Sequence, residues 1–149
     1  MNGEYTKQPR SAQFASVFFA LATSGGDQAL YKAAPTREKA DQVVNDRLKA
    51  PYTLDANDAL YQWDSSRDYN PSAGLERIEA ALLVINAADD ERNPPVLGVL
   101  EREMKRVKNG RVFIIPASDA TAGHGTTGQA KWWKDELAKL LQSAPARSQ

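Results

Sequence analysis

Apolar residues recur every three to four positions along the first half of the chain, which is the spacing of amphipathic helices. The first stripe follows a candidate capping residue, Ser11, and stops near Thr23. A second stripe begins after Thr36 and a third after Asp55. Their inward positions are Phe14, Val17, Phe18 and Leu21, then Ala40, Val43, Val44 and Leu48, then Ala56, Ala59, Leu60 and Trp63. The pattern predicts three helices, followed by a connector over 64–74.

The pattern changes in the second half, where two short runs are apolar throughout. These runs, over 81–86 and 111–116, have the length and continuity of strands covered on both faces in a parallel sheet. A helical stripe between them starts at Pro94 and Pro95 and stops before Gly110. Its members are Leu97, Leu100, Met104 and Val107. A closing helix is expected to bury Ala130, Trp133, Leu137, Leu140 and Leu141.

These elements indicate an α/β fold with a parallel sheet. The chain divides into a helical segment with its connector over 1–74, a strand–helix–strand–helix segment over 75–142 and a flexible tail over 143–149. Two parallel strands do not form a stable sheet alone, because such strands normally lie between neighbours. We therefore expect either further strands from elsewhere or an oligomer that covers the open edge.

Composition and charge exclude several classes of partner. The sequence has 19 Lys and Arg against 19 Asp and Glu, so no electrostatic attraction to nucleic acid or anionic lipid is expected. The absence of cysteine excludes disulfides, thiolate zinc sites and a cysteine nucleophile.

No apolar run reaches the length of a membrane span, which predicts a soluble, cytoplasmic chain. Basic residues before the stretch 14–22 leave a secretion signal as an alternative, although an amphipathic helix explains the same residues.

The candidate chemistry follows the two predicted strands. Asp89, Asp90 and Glu91 come after the first strand, and His124, the single histidine, lies in a Gly-rich loop after the second. Because ligands bind beyond the carboxyl ends of parallel strands, a carboxylate and an imidazole are expected to meet there. Such a pair fixes the tautomer of the imidazole, whose other nitrogen then accepts a proton from a hydroxyl nucleophile.

Simpler roles compete with this interpretation. Asp89 or Asp90 can cap the helix that follows, and a lone histidine in a Gly-rich loop is commonly just exposed to solvent. The acidic triplet lacks the spacing of a cation-binding loop, and Gly25–Gly26 lacks the pattern of a phosphate loop. The sequence therefore predicts neither a metal nor a cofactor.

Four runs of residues resemble α/β-hydrolases of the homoserine O-acetyltransferase-like group. They are LVINAADDERNPP over 83–95, EREMKRVKNG over 101–110, GHGTTG over 123–128 and YQWDSSRDYNP over 61–71. The resemblance spans nearly the whole chain. It implies that the helical half is the lid of such an enzyme and that the second half is the C-terminal part of its sheet.

The resemblance also implies roles for two residues. The triad acid of this group lies in an Asp-x-x-x-Pro setting, which Asp90 satisfies with Pro94 and Asp89 does not. The triad histidine follows the last strand, where His124 stands. The substrate implied for the complete enzyme is a small acyl ester or an acyl-CoA.

Two departures from the family pattern limit what the resemblance implies. No Gly-x-Ser-x-Gly occurs in the sequence, so the nucleophile of the triad is missing, and a truncated reading frame is expected. Gly125 follows His124 where homoserine acetyltransferases usually have Asp, which favours a related acyltransferase or ester hydrolase over one specific for homoserine. The alternative is a non-catalytic module that binds a partner or forms oligomers.

Overall fold

The computed structural model of the chain describes residues 3–23, 25 and 27–145. It contains six α-helices and a sheet of two parallel strands within this described part. The chain forms two compact units, one made of Met1–Ala22 and Tyr31–Asn70, the other of Thr23–Leu30 and Pro71–Gln149. The predicted α/β class, with a parallel sheet and several helices, is therefore confirmed. The tail over 146–149 lies outside the described residues.

The first half is helical, as predicted, but it has one helix more than the sequence pattern indicated. The helices are α1 (Arg10–Ala22), α2 (Asp27–Ala33), α3 (Arg37–Lys49) and α4 (Ala56–Asp64). The unpredicted helix is α2, whose seven residues are too short to display a periodic stripe. A 3₁₀ helix, Ser72–Arg77, also begins inside the segment expected to be a connector.

Two of the three predicted helix caps are confirmed. The Thr36 hydroxyl accepts a hydrogen bond from the N–H of Lys39 at 3.3 Å, at the start of α3. The carboxylate of Asp55 accepts from the N–H of Asn57 at 2.7 Å, at the start of α4. Ser11 lies within the first turn of α1 instead of before it, because the helix already begins at Arg10.

The helical unit buries less apolar surface than its stripes predicted. Phe14 and Phe18 of α1 are exposed, the latter to 75 %, and none of the residues of α1, α3 or α4 is fully buried. The best aromatic contact uses Phe19, which lies off the predicted stripe. Its ring meets Trp63 edge-on, with 4.7 Å between the centroids. The prediction that all members of the apolar stripe of α1 are buried is therefore wrong.

The sheet consists of β1 (Leu82–Ala87) and β2 (Gly110–Ile115), each shifted by one residue from its predicted bounds. The strands pair in parallel from Leu82 opposite Gly110 to Ala87 opposite Ile115. Ala87 and Ile115, at the carboxyl ends, are almost wholly buried. The core of this unit thus lies directly beneath the loops that leave the two strands.

The segment between the two strands forms two short helical pieces, where one continuous helix was predicted. A 3₁₀ turn over Pro95–Leu97 is followed by α5 (Val99–Met104). Gly98 separates them with a left-handed φ of 63°, a conformation that glycine adopts without steric cost. Leu97 is consequently 65 % exposed, whereas Met104 and Val107 are buried as expected.

The chain ends in α6 (Lys134–Ser143), preceded by a 3₁₀ turn over Ala130–Trp132. Ala130 and Trp133 therefore lie before the helix, and Leu141 is 69 % exposed, so the predicted stripe of the closing helix is only partly buried. Among the described residues, no helix combines the length and hydropathy that crossing a bilayer requires.

Candidate active site

The two loops that were singled out in the sequence meet at the carboxyl edge of the sheet. The loop after β1 carries Asp90, and the loop after β2 carries His124 in a 3₁₀ helix, Gly123–Gly128. Nδ1 of His124 lies 3.0 Å from Oδ2 of Asp90 and 3.2 Å from its Oδ1. The side chain of Asp90 is 2 % exposed and that of His124 is 36 % exposed. A buried carboxylate thus holds one edge of an imidazole whose other edge remains accessible.

Asp90 is itself fixed by the turn that follows it. Its Oδ1 accepts hydrogen bonds from the backbone N–H of Arg92 at 2.8 Å and of Asn93 at 3.0 Å. This is the local capping role that competed with a catalytic one, but no helix begins here, since the next helical turn starts at Pro95. Both roles coexist, because Oδ1 accepts from the turn while Oδ2, the oxygen nearer to Nδ1, faces the imidazole.

The electrostatic balance at Asp90 favours its charged form. Burial alone would raise its pKa, but hydrogen bonds from the backbone of Asn93, from the ring of His124 and from the backbone of Arg92 outweigh that effect. The pKa of Asp90 is therefore lowered from its ordinary value. An ionised acceptor beside Nδ1 favours a proton on that nitrogen and leaves Nε2 as the free base of the neutral ring.

The two neighbours of Asp90 hold the histidine loop by its backbone. Oδ2 of Asp89 accepts from the hydroxyl of Thr121 at 2.8 Å and from the N–H of Gly123 at 3.3 Å. Oε2 of Glu91 accepts from the N–H of His124 at 3.0 Å, and its Oε1 accepts from the N–H of Gly25 at 3.0 Å. All three members of the acidic triplet therefore contact the loops around His124.

Sequence reasoning missed these positioning roles of Asp89 and Glu91. Their partners are mostly backbone N–H groups, and a backbone group leaves no residue type in the sequence that would identify it as a partner. The only available signal was the run of three acids itself.

The loop that carries His124 is also held from beneath. Thr126 is fully buried, and its hydroxyl accepts from the N–H of Ala122 at 2.7 Å. Gly123 has a φ of 51°, a left-handed value that a β-carbon would strain, so this glycine is needed for the turn. The indole N–H of Trp133 donates to the carbonyl of Thr127 at 2.9 Å. These contacts limit how far the imidazole can move.

A buried amide ties the acidic loop to the strand. Asn86, the penultimate residue of β1, is 6 % exposed. Its Nδ2 donates to the carbonyl of Asn93 at 2.8 Å, and its Oδ1 accepts from the N–H of Ala87 at 2.8 Å. The amide thereby closes the turn that contains Asp90.

A cavity of about 520 Å³ adjoins the pair. Its lining combines charged and polar side chains, among them those of Asp90, Arg92, Glu103 and His124, with apolar residues of β1, the Pro95–Leu97 turn and α5. None of its described lining residues is a serine or a cysteine. Thr127 supplies the one hydroxyl, which donates to the carbonyl of His124 at 3.2 Å. The described part of the chain thus offers a base and its orienting acid without a nucleophile beside them.

No cluster of three or more His, Asp or Glu side chains suited to a metal ion occurs among the described residues. No family model and no curated protein matches this chain. The assignment of the site therefore depends on its geometry and on the resemblance of its motifs.

Proposed function

We propose that this chain supplies the lid helices and the last strand–helix–strand–helix portion of an α/β-hydrolase-fold acyltransferase or ester hydrolase. The contact of Asp90 with His124, at the ends of adjacent parallel strands, is the observation that carries this proposal. The acid and the histidine of such enzymes follow one another in this chain order. The homoserine O-acetyltransferase-like motifs point to a small acyl ester or an acyl-CoA as substrate.

In this function Asp90 is a positioning residue and His124 is the catalytic base. Asp90 accepts the Nδ1–H of the ring, which leaves the lone pair of Nε2 available. Nε2 takes the proton of a serine hydroxyl as its oxygen bonds to the acyl carbon. It then returns that proton to the departing alcohol or thiol, so that the acyl group passes to serine and the ring is neutral again. A second alcohol or water repeats these steps and releases the acyl group.

The serine must belong to another polypeptide segment, because this sequence has no Gly-x-Ser-x-Gly. The outer edge of β1 supports this part of the proposal. The backbone groups of Leu83 and Ile85 point away from β2 and have no strand partner in the described chain. A further strand pairing there would extend the sheet next to β1, whose loop carries Asp90. Alone, the chain is expected to be inactive, since its sequence has no Gly-x-Ser-x-Gly and no serine or cysteine is among the described residues that line the cavity beside His124.

Co-expression tests this function directly. The partner is the N-terminal part of a homoserine O-acetyltransferase-like enzyme, ending before its lid helices, and the readout is turnover of p-nitrophenyl acetate. We expect turnover with the pair and none with either piece. His124→Ala should lower kcat by about 10³-fold or more. Lys108→Ala, an exposed change on the same unit, serves as the control and should leave kcat unchanged. Equal turnover with His124→Ala, or none with the intact pair, would refute the proposal.

The second candidate is a non-catalytic module that binds a partner or a second copy. The exposed apolar residues beside the 520 Å³ cavity favour it, with Val96 91 % and Leu97 65 % exposed. Size-exclusion chromatography distinguishes the two candidates. A stable, compact oligomer that turns over no ester, with or without the N-terminal piece, would support the module and exclude the enzyme.

A further inference from the structure

A second cavity, of about 380 Å³, lies within the helical unit. One wall is a face of α1 with residues at helical spacing, from Gln13 to Ala20. The opposite wall is the end of α3 and the residues after it, from Arg47 to Tyr52. Its volume is within the range of small-molecule sites. It shares no residue with the cavity beside His124.

Among the described residues that line this cavity, Arg47 is the only charged one. Its Nη1 is buried, and it makes no hydrogen bond to any residue that the structure describes. The guanidinium has no ion pair with a described carboxylate either. A cationic side chain that lines a cavity without a described carboxylate partner favours an anion there, because the anion neutralises its charge in a partly buried place.

A glutamine fixes the two walls of the cavity to each other. Nε2 of Gln13 donates to the carbonyl of Leu48 at 2.6 Å and to that of Ala50 at 2.7 Å. Gln13 thus joins α1 to the end of α3, and its amide nitrogen is already engaged with the backbone.

The rest of the cavity is suited to a small, mostly apolar body. Val17, Ala20 and Pro51 supply aliphatic surface, and Tyr52 supplies an aromatic ring. The hydroxyl of Ser16 also lines the cavity and is a second donor for an anion. A single cation with few further donors matches a monoanion better than a phosphate dianion, which needs more of them. The planar fork of a guanidinium also fits the two oxygens of a carboxylate.

We propose that this cavity binds a small carboxylate with an aliphatic or aromatic body, held by Arg47 and Ser16. The site is independent of the proposed catalytic function, since it uses none of the residues around His124. It requires neither a nucleophile nor a partner chain.

The test is an NMR titration of the full chain with sodium benzoate, using benzamide as the neutral probe of similar shape. We expect saturable shifts of the amides over 13–20, 47–50 and 52 with benzoate, and at least about tenfold weaker binding of benzamide. Arg47→Gln should weaken benzoate binding by at least about tenfold. Arg37→Gln, which removes an exposed arginine from the same helix, should bind benzoate as the unaltered chain does.

Arg47→Lys keeps the proposal testable if the glutamine variant does not fold, because it retains the charge and loses the fork. Arg47→Lys should bind benzoate more weakly than the unaltered chain binds benzoate. It should still bind benzoate more tightly than the unaltered chain binds benzamide. The proposal is wrong if benzoate causes no saturable shifts at these amides. Equal binding of benzamide, or unchanged benzoate binding by the folded Arg47 variant, would also overturn it.

Discussion

Three adjacent carboxylates divide the work at the candidate active site. Asp90 faces the imidazole of His124, whereas Asp89 and Glu91 accept hydrogen bonds from two successive backbone N–H groups, those of Gly123 and His124. Two of them therefore fix where the histidine loop lies, and the third fixes how the ring is turned. Replacing Asp89 or Glu91 should therefore change the position of the loop that carries His124. Replacing Asp90 should change which ring nitrogen of His124 carries the proton.

The lowered pKa of Asp90 predicts a dependence of stability on pH. Below the unfolded-state pKa, near 4, the unfolded chain binds more protons at this site than the folded chain, so folding weakens with acid. The contribution of Asp90 is complete above about pH 4 and is lost as the pH falls through the lower folded-state pKa. Asp90→Asn removes this dependence while it keeps the shape of the side chain.

Urea denaturation from neutral pH down to about pH 3 measures this effect. The difference in unfolding free energy between the unaltered chain and Asp90→Asn should fall as the pH drops below about 4. Other carboxylates also titrate in this range, but they are common to both proteins and cancel in the difference. A difference that grows with acid would contradict the assigned direction of the pKa shift.

The assignment of Asp90 could be reached from the sequence only in part. Strand ends and a lone histidine indicated where a pair would form, but periodicity could not choose between Asp89 and Asp90, which are adjacent in the same loop. The choice came from the Asp-x-x-x-Pro setting of the resembling family. The roles of Asp89 and Glu91 depend on the path of the loop after β2, which residue types alone do not determine.

At the scale of elements, the packing of the strand–helix–strand unit depends on a close approach at the start of β2. A β-carbon on Gly110 would lie 2.6 Å from Cε of Met104 and 2.9 Å from Cβ of Val107. The end of the methionine can move aside, but Cβ of Val107 is fixed to a buried backbone. Gly110 therefore permits α5 and β2 to pack together.

Gly110→Ala should destabilise the chain by about 1–3 kcal/mol through overpacking. Gly128→Ala is the matched control, because its added carbon would have no atom within 4 Å. The midpoint of urea denaturation compares the two. Equal midpoints for the two variants would contradict this prediction, because they would show that Val107 can move away from the added β-carbon at little cost.

Element prediction failed where a local backbone conformation overrode the hydrophobic pattern. The stripe from Leu97 to Val107 suggested one helix, but the left-handed φ of Gly98 splits it and turns Leu97 outwards. The strands were predicted well because their apolar runs are continuous and short. The apolar stripe of α1 did not predict burial correctly: its two bulkiest members, Phe14 and Phe18, face solvent.

At the scale of the whole molecule, the sheet has two strands and hence two unpaired edges in the described chain. The N–H of Leu82 donates to Asn109 at 3.0 Å, and that of Ala88 donates to Ile115 at 2.9 Å. The parallel ladder repeats every two residues, so the N–H of Val84 also faces β2, and that of Ile85 faces the open edge. This edge is where the proposed function requires another strand.

Hydrogen exchange therefore should alternate along β1. We expect slow exchange at Val84 and fast exchange at Leu83 and Ile85 in the isolated chain, because only the first of these amides is hydrogen-bonded to β2. Adding the N-terminal partner should slow exchange at Leu83 and Ile85. Uniformly slow exchange without the partner would indicate that a second copy already covers this edge.

The tautomer of His124, measured by long-range ¹H–¹⁵N NMR, tests the central claim most directly. Oδ1 of Asp90 accepts from two backbone N–H groups, so in Asp90→Asn the carbonyl oxygen should keep that place and the amide NH₂ should face Nδ1. We predict that the neutral ring carries its proton on Nδ1 in the unaltered chain and on Nε2 in Asp90→Asn. A proton on Nε2 in both proteins, or the tautomer mixture of a free histidine in both, would contradict the pairing of Asp90 with His124.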